Sequence, residues 1–520
     1  MRNSQRCEKK DHFKINWENR LKIVYAALSL LILNLALMAQ GGSMVIANDP
    51  TSNDEFGNAV DVQGQYMIVG AQRDRPSGSF SGSAYIFQWN GNAWTEMQKL
   101  GADNPGSYKR FGWSVAISGT YAAVGARGEN TGGNNSGAAY IFQLNGNSWQ
   151  QIDKVSEGSG AAEDDEFGQS IAMDGDVLVV GAWGDDGEQG AAYIYHRNGA
   201  SWQLAERLDP AESGSGDFFG CSVAVSGNTV VVGAPGADVN GTGTGAVYVY
   251  ERSGNTWTRT ARFNGSNGGS GDAFGYSVAL SGDRLIVGAN AADFVAGDAG
   301  AAYLFTRSNG AWSESARFTD SNGLSGDEFG ESVAIDGNLA MVGAHHNGVN
   351  GSDAGAAFLY QFDGNSWQPV SSVYPNAPME GDRFGNAMVM RDGHAFVGAF
   401  RRDHSDKTDP GSIFFFQTPG VTAIDPLPGA VPTGFRLEPN FPNPFNPGTV
   451  IPFSLSRNEV VSLRIFNLLG QEMAVLIDGE TMASGTYHIS WDAQAFPAGV
   501  YFCQLNAGNQ VATRRMLYVK

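Results

Sequence analysis

The sequence predicts an all-β protein, a seven-bladed β-propeller of four-stranded blades followed by a small immunoglobulin-like β-sandwich. Three observations carry that reading. A block built on Phe-Gly returns seven times at a nearly constant period. Each period holds four short alternating segments parted by turn residues. Glycine supplies 70 of 520 residues, about twice the usual share, which fits many tight turns between short strands.

The N-terminus comes first. Residues 1–22 carry Arg2, Arg6, Lys9, Lys10, Lys14, Arg20 and Lys22, and the apolar run Ile23–Ala39 follows, broken only by Ser29 and Asn34. A positive flank, an apolar core and a small residue at its end read as a signal peptide over 1–39. Its removal leaves no transmembrane span in the mature chain. Cleavage after Ala47 is the other reading of this stretch.

The repeats occupy 40–418. The phenylalanines are Phe56, Phe111, Phe167, Phe219, Phe274, Phe329 and Phe384, spaced 55, 56, 52, 55, 55 and 55 apart. Gly-Ala follows each, at Gly70, Gly125, Gly181, Gly233, Gly288, Gly343 and Gly398. A third block, such as Gly300-Ala301-Ala302-Tyr303, comes next. Trp94, Trp149, Trp202, Trp257, Trp312 and Trp367 close six copies. In the fifth copy the pattern predicts strands over Phe274–Leu280, Leu285–Ala289, Ala301–Thr306 and Trp312–Phe318. One such sheet cannot bury both faces, but sheets packed in a ring can. The aromatics therefore read as core between blades. The glycines are not phosphate loops, since none sits between a strand and a helix.

Phe-Gly, then Val-Gly-Ala, then a Gly-Ala-x-Tyr strand resembles the FG-GAP repeat of integrin α-subunit propellers, over roughly residues 44–418. The resemblance implies a ligand-binding face. It does not carry over integrin-type calcium binding. The calcium loop of that family sits in the first hairpin, and here the hairpin is only Ile117-Ser118-Gly119-Thr120 or its equivalents. That is too little chain to wrap an ion with six to eight oxygens. The repeat is closer to the shorter bacterial version, and no cofactor is assigned, with Ca2+ left open.

Copy seven ends at Ser412–Gln417 without a tryptophan strand. Ser43–Ala47, placed before Phe56 as Ser315–Thr319 is before Phe329, is expected to supply the missing strand. That expectation favours cleavage after Ala39.

Connections between strands one and two and between three and four are tight, so the long connections all emerge on one face. These loops are rich in acid, and loops on a rigid scaffold are where binding residues concentrate. The odd residues there are Arg73 and Arg75, His345 and His346, and Arg401, Arg402 and His404, the candidate ligand-binding set. Asp164, Asp165, Asp185 and Asp186 are the metal candidates. An Asp two residues before the Phe recurs as Asp54, Asp165, Asp217, Asp272, Asp327 and Asp382, with Lys109 in copy two. Such regularity points to a structural cap on backbone N–H groups rather than to catalysis.

Nine prolines between Pro419 and Pro452 mark a stiff linker, 419–434, and the start of a new domain, 435–520. Val460–Asn467, His488–Asp492, Gly499–Leu505 and Met516–Val519 read as strands. Asn440–Pro447, Leu463–Gly470, Gly485–Trp491, Ala498–Phe502 and Met516–Lys520 together resemble the C-terminal sorting domain of type IX secretion cargo. The resemblance implies export to the outside or the outer cell surface of a Gram-negative bacterium, with the secretion machinery as a partner of 435–520.

The net charge of −20, or −24 once 7 basic and 3 acidic residues leave with 1–39, excludes a nucleic-acid footprint. The cysteines Cys7, Cys221 and Cys503 are too few and too scattered for a disulfide framework or a zinc site. No nucleophile elbow or HExxH motif is present. The sequence thus favours a secreted or surface-displayed, non-enzymatic adhesion protein that binds an extracellular protein or polysaccharide through the long-loop face. A secreted hydrolase or lyase acting on an extracellular polymer is the alternative.

Overall fold

The computed structural model describes residues 42–418 apart from residue 92, and within 435–519 all but 438, 439, 441–444, 446, 447, 456, 469, 483, 484 and 509. The expected signal peptide and linker lie outside the described residues. The chain is all-β, and each of copies one to six forms one four-stranded antiparallel sheet in sequence order, while copy seven contributes three strands. In copy five the strands are Ser277–Ser281, Arg284–Ala289, Ala301–Ser308 and Ala311–Phe318.

The first strand begins three residues later than the alternation predicts. In copies three to six it opens on Ser170, Ser222, Ser277 and Ser332. The motif phenylalanine instead bridges, in parallel, to the glycine before the third strand of the preceding copy, as Phe274 does to Gly245. Phe274 thus belongs to the joint between sheets. It is buried, and its ring meets Tyr303 of its own copy edge-on at 5.3 Å. The same bridge joins Phe56 to Gly411, so the first copy meets the last as any copy meets the next.

Two features lock every joint. In copies two to six a serine three residues after the Phe donates to the glycine carbonyl of the next Phe-Gly, as Ser277 Oγ does to Gly330 O at 2.7 Å. In copies one and seven an asparagine does this work: Asn58 bonds Gly112 O at 3.0 Å and Asn386 bonds Gly57 O at 3.2 Å. The same carbonyl presses on the glycine of the preceding Gly-Ala. A Cβ on Gly288 would stand 1.9 Å from Gly330 O, and one on Gly398 would stand 2.2 Å from Gly57 O. Close approach, not a left-handed backbone, demands glycine at this position. First strands touch first strands around the whole circuit, while fourth strands meet only lightly. The first strands are therefore the hub.

Apolar clusters fill the gaps between adjacent sheets. One unites Val179 and Ile194 of copy three with Val230, Val232 and Tyr248 of copy four. Another unites Phe396 and Ile413 of copy seven with Phe56 and Tyr85 of copy one. Trp149 packs edge-on against Tyr66 of the preceding copy, so the motif tryptophan is also a joint residue. Ser43–Val45 pairs antiparallel with Ser412–Gln417 and completes the fourth strand of the last sheet. It is shorter than the expected 43–47, but Ala47 is buried in the same cluster.

The C-terminal segment forms two sheets. One contains Arg436–Leu437, Gly448–Leu455 and Gly485–Asp492. The other orders Glu472–Met482, Glu459–Asn467, Gly499–Ala507 and Gln510–Tyr518. Alternation revealed four of these strands and missed the short Arg436–Leu437 together with Gly448–Leu455 and Glu472–Met482, the last two of which contain a Pro or Gly that interrupts the pattern. Cys503 is a buried free thiol here, as Cys221 is in the repeats.

Gly288→Ala should cost at least about 1–3 kcal/mol by overpacking the joint, and Ser277→Ala about 1 kcal/mol for one lost hydrogen bond. Denaturant unfolding of both variants checks this, with Gly288→Ala the worse. The mature N-terminus, read by sequencing, should precede Ser43; a start at Asn48 would leave the edge of Ser412–Gln417 bare.

Candidate functional site

The residue just before each motif phenylalanine has a left-handed backbone although none is glycine. Glu55, Arg110, Glu166, Phe218, Ala273, Glu328 and Arg383 all have φ between 53° and 57°. Such a conformation costs of order ~1 kcal/mol and persists where its surroundings over-determine it. Here the N–H of that residue donates to the strand two-to-three loop of the preceding copy: Arg110 to Phe80 O, Glu166 to Asn135 O, Arg383 to Asp353 O and Glu55 to Asp409 O. The long loops of neighbouring copies are thereby tied into one surface. Glu166 accepts from Arg127 of the copy before and from Trp183 of its own, both at 2.7 Å.

Beneath the loops lies the recurrent aspartate. In all six copies that have it, its carboxylate accepts the backbone N–H three residues upstream: Thr51 to Asp54, Ala162 to Asp165, Gly214 to Asp217, Gly269 to Asp272, Leu324 to Asp327 and Met379 to Asp382. The expected cap is what forms. All six are buried. Burial raises each carboxyl above its ordinary value while the donated N–H pulls it back.

A second position, four residues after the glycine of Gly-Ala, is Ala237 and Ala292 in copies four and five and compensates the cap in copies six and seven. Asn347 donates to Asp327 at 2.9 Å and Arg402 to Asp382 at 2.6 Å. In copy two the polarity inverts, and Lys109 pairs with buried Glu129 at 2.6 Å. Where that second position is also acidic, a tyrosine of strand three binds it: Tyr85 to Asp74, Tyr140 to Glu129 and Tyr193 to Asp185. A strand-four cation paired with the tyrosine completes each set, Lys99 reaching Asp74, Lys154 reaching Glu129 and Arg207 reaching Asp185. Where it is Asn347 or Arg402, strand three carries Phe358 or Phe414 instead. Sequence reading took the tyrosines only as core. Copies four and five keep the tyrosine, as Tyr248 and Tyr303, beside Ala237 and Ala292, so the sequence pattern alone does not mark the pairing.

The predicted ligand residues fall into three groups. Arg402 is structural, since it also donates to Ala377 O at 2.6 Å and is mostly buried. His404 is tied back to Gly411 O at 2.8 Å. Arg73 pairs with Glu55 at 3.0 Å and shares the Phe80 ring with Arg75. Arg401 lies beside Glu55 and Asp409, so Arg73, Arg75 and Arg401 share one sector of the face.

His345 and His346 join a buried network that the sequence did not reveal. Arg383 Nη1 lies 3.1 Å from His346 Nε2 and 3.4 Å from His345 Nε2. Both rings accept at Nε2 in this geometry, and His346 Nδ1 is left to donate to Asp353 at 2.9 Å. His345 Nδ1 faces Glu331 at 3.9 Å. Glu331 also accepts from Tyr276 at 3.2 Å and Asn290 at 2.8 Å. One ligand atom each from Glu328, His345 and His346 lie within 4.8 Å of one another, but Arg383 already brings positive charge to both rings.

Of the metal candidates, Asp165 and Asp185 come together with Glu157, again within 4.8 Å. Asp164 and Asp186 stand apart, bonded to Asn135 and Arg207. Burial, then the two aspartates, push Glu157 up to about 9. Arg207 on Asp185 supplies the local cation. The first hairpins are two-residue turns, such as Gly119-Thr120, with strands on either side.

The family model of the FG-GAP repeat matches residues 43–87, 94–142, 149–195, 202–250, 257–305 and 312–360. That of the secretion system C-terminal sorting domain matches residues 440–520. No curated protein matches the chain. Among the described residues no helix is long and apolar enough to cross a membrane.

Burial holds Glu331 up at about 7 against an ordinary 4.5. The neutral carboxyl therefore favours the fold at low pH, and that contribution is lost as pH rises through about 7. His345, pushed down to about 3 by burial, acts in the opposite sense: its contribution is present above 6.5 and lost as pH falls toward 3. Comparing Glu331→Gln with the natural protein isolates the first effect. The variant should gain melting temperature at pH 8 relative to the natural protein, and the gap should shrink at about pH 5. Thermal unfolding at the two pH values checks it, and an unchanging gap would show that Glu331 does not titrate in that range.

Proposed function

The chain belongs to the FG-GAP repeat family and ends in a type IX sorting domain, and from that premise we propose a non-enzymatic binding protein that adheres to an extracellular protein or polysaccharide through its long-loop face. The sorting domain indicates secretion or attachment at the cell surface and engagement with the type IX machinery. We place the mature chain at or beyond the outer surface of a Gram-negative cell, after loss of 1–39. The repeats then act as one seven-bladed, integrin-like propeller, supported by the bridge from Phe56 to Gly411 and the strand Ser43–Val45. The two C-terminal sheets act as an immunoglobulin-like sandwich.

One observation carries the binding reading. The long loops of successive copies are joined by backbone hydrogen bonds, so the variable side chains stand on a surface that is already ordered. Pre-ordering removes much of the entropic cost of recognition. Beneath the loops, the repeated carboxylates are occupied in capping and in ion pairs, which is structural work.

Probing the mature protein against glycan and matrix-protein arrays, with and without calcium, tests this. Retained binding without turnover of the bound polymer is the expected result. Turnover of a polymer that is abolished by Glu331→Gln or His345→Ala would replace adhesion with the hydrolase or lyase reading.

A further inference from the structure

The long-loop face is chemically lopsided. Its strand two-to-three loops contain lysine or arginine only in copies one, two and seven, which are neighbours around the circuit: Arg73, Arg75, Arg127, Arg401, Arg402 and Lys407. The strand four-to-one loops add Lys109, Arg110 and Arg383, which precede the phenylalanines of copies two and seven. The loops around copy three hold Glu157, Glu163, Asp164, Asp165, Glu166, Asp185, Asp186 and Glu188. The lysines and arginines of these loops therefore all lie in one sector of the face, where Asp74, Glu129, Asp403, Asp406 and Asp409 stand among them.

Within that sector the cations differ in how they are used. Lys109, Arg127, Arg383 and Arg402 are paired with carboxylates. Among the described residues Arg75, Arg110 and Arg401 have no ion pair, and each lies on an aromatic ring. Arg75 is 5.6 Å from Phe80, Arg110 is 5.7 Å from Trp113, and Arg401 is 5.5 Å from Phe400. Phe80 in turn meets Tyr108 at 5.7 Å, and Tyr108 is 58% exposed. Backbone bonds from Tyr108 to Ser79 O and from Arg110 to Phe80 O fasten the two loops together. Arg73 links this shelf to Glu55, which lies beside Arg401. The run from Arg401 through Arg73, Phe80 and Tyr108 to Arg110 is thus continuous.

We infer that this sector, formed by Arg73, Arg75, Phe80, Tyr108, Arg110 and Arg401, binds an anionic polysaccharide. The inference rests on the binding reading above and names its ligand class. Guanidinium groups offer two parallel donors to a carboxylate or a sulfate ester. An exposed aromatic shelf between them suits the flat apolar face of a sugar ring, a feature a simple acidic peptide does not require. The acidic loops of copy three repel a polyanion, so a chain laid on the face is directed towards the one sector whose loops hold arginines.

Binding of the mature protein to polygalacturonate, a carboxylated polymer, and to dextran sulfate is measured beside neutral dextran and poly-glutamate. Binding to at least one anionic glycan and not to neutral dextran is expected. The double variant Arg75→Ala/Arg110→Ala should lose about tenfold or more in affinity, and Tyr108→Ala should weaken glycan binding at unchanged net charge. Arg457→Ala, a highly exposed cation outside the repeats, should change nothing. Which of the two glycans is preferred separates carboxylate from sulfate recognition. Poly-glutamate binding as tightly as the glycans, or indifference to Tyr108→Ala, would reduce the sector to a general polyanion patch and overturn the inference. Binding only to neutral glycans or to a matrix protein would also overturn it and leave the adhesion reading standing, whereas binding to nothing on either array would remove both. Near-wild-type melting of each variant excludes misfolding as the cause.

Discussion

The glycine carbonyl of each Phe-Gly pair is the contact on which the molecule depends. It accepts a serine or asparagine side chain from the copy before, and it rests against a glycine that has no Cβ to hold it off. The Gly-Ala glycine and the serine follow from that single approach, while the glycine of Phe-Gly is also required by its own left-handed backbone. An added methyl would stand near 2 Å from the carbonyl oxygen at every joint. Apolar clusters between sheets contribute more free energy, but they tolerate exchange among Val, Ile, Leu and Phe. The carbonyl contact tolerates nothing larger than glycine and so sets the spacing at which those clusters close. Because Asn386 makes this contact with Gly57, no copy is left with a terminal face of the kind that open repeat arrays must cap.

A joint held so tightly frees the chain between joints. Strain at the residue before each phenylalanine is shared by every copy, whatever side chain it bears, from Glu328 to Ala273. Backbone partners alone sustain it, and the side chain is left open to vary. Below, buried acids in five copies are balanced by Asn347, by Arg402, or by a tyrosine with a lysine or arginine across the strand, while Asp217 and Asp272 rest on backbone N–H groups. An unpaired buried carboxylate is costly, and each solution removes that cost with different residues. Variation there records compensation, and the variation that bears on recognition lies in the exposed loops above it.

Much of the frame was legible because it repeats. Seven phenylalanines at one period located the sheets, and an aspartate at a fixed offset identified its own capping role before any contact was seen. The first strand of copy five was started too early because alternation cannot tell a residue that pairs within its sheet from one, like Phe274, that bridges to the preceding copy. Glu157 and Glu331 were not legible as site residues at all. Each occurs once, and what makes it unusual is burial beside Asp185 or His345, residues that only the folded chain brings near. His345 and His346 were found by their rarity, Arg402 was found by the same signal, and the structure separates them: Arg402 is a capping partner, while the histidines sit against Arg383 at the hub.

The distribution of charge completes the argument. Acid beneath the loops is matched by local partners, so the capping carboxylates add little to the outward field. Acid in the exposed loops gathers about copy three, where Arg207 reaches Asp185 and Asp186, whereas the arginines without an ion pair gather on copies one, two and seven. A symmetric frame would offer equivalent positions to any ligand. By breaking that symmetry in charge and not in backbone, the protein keeps equivalent joints and still presents a single direction along which an extended ligand can lie.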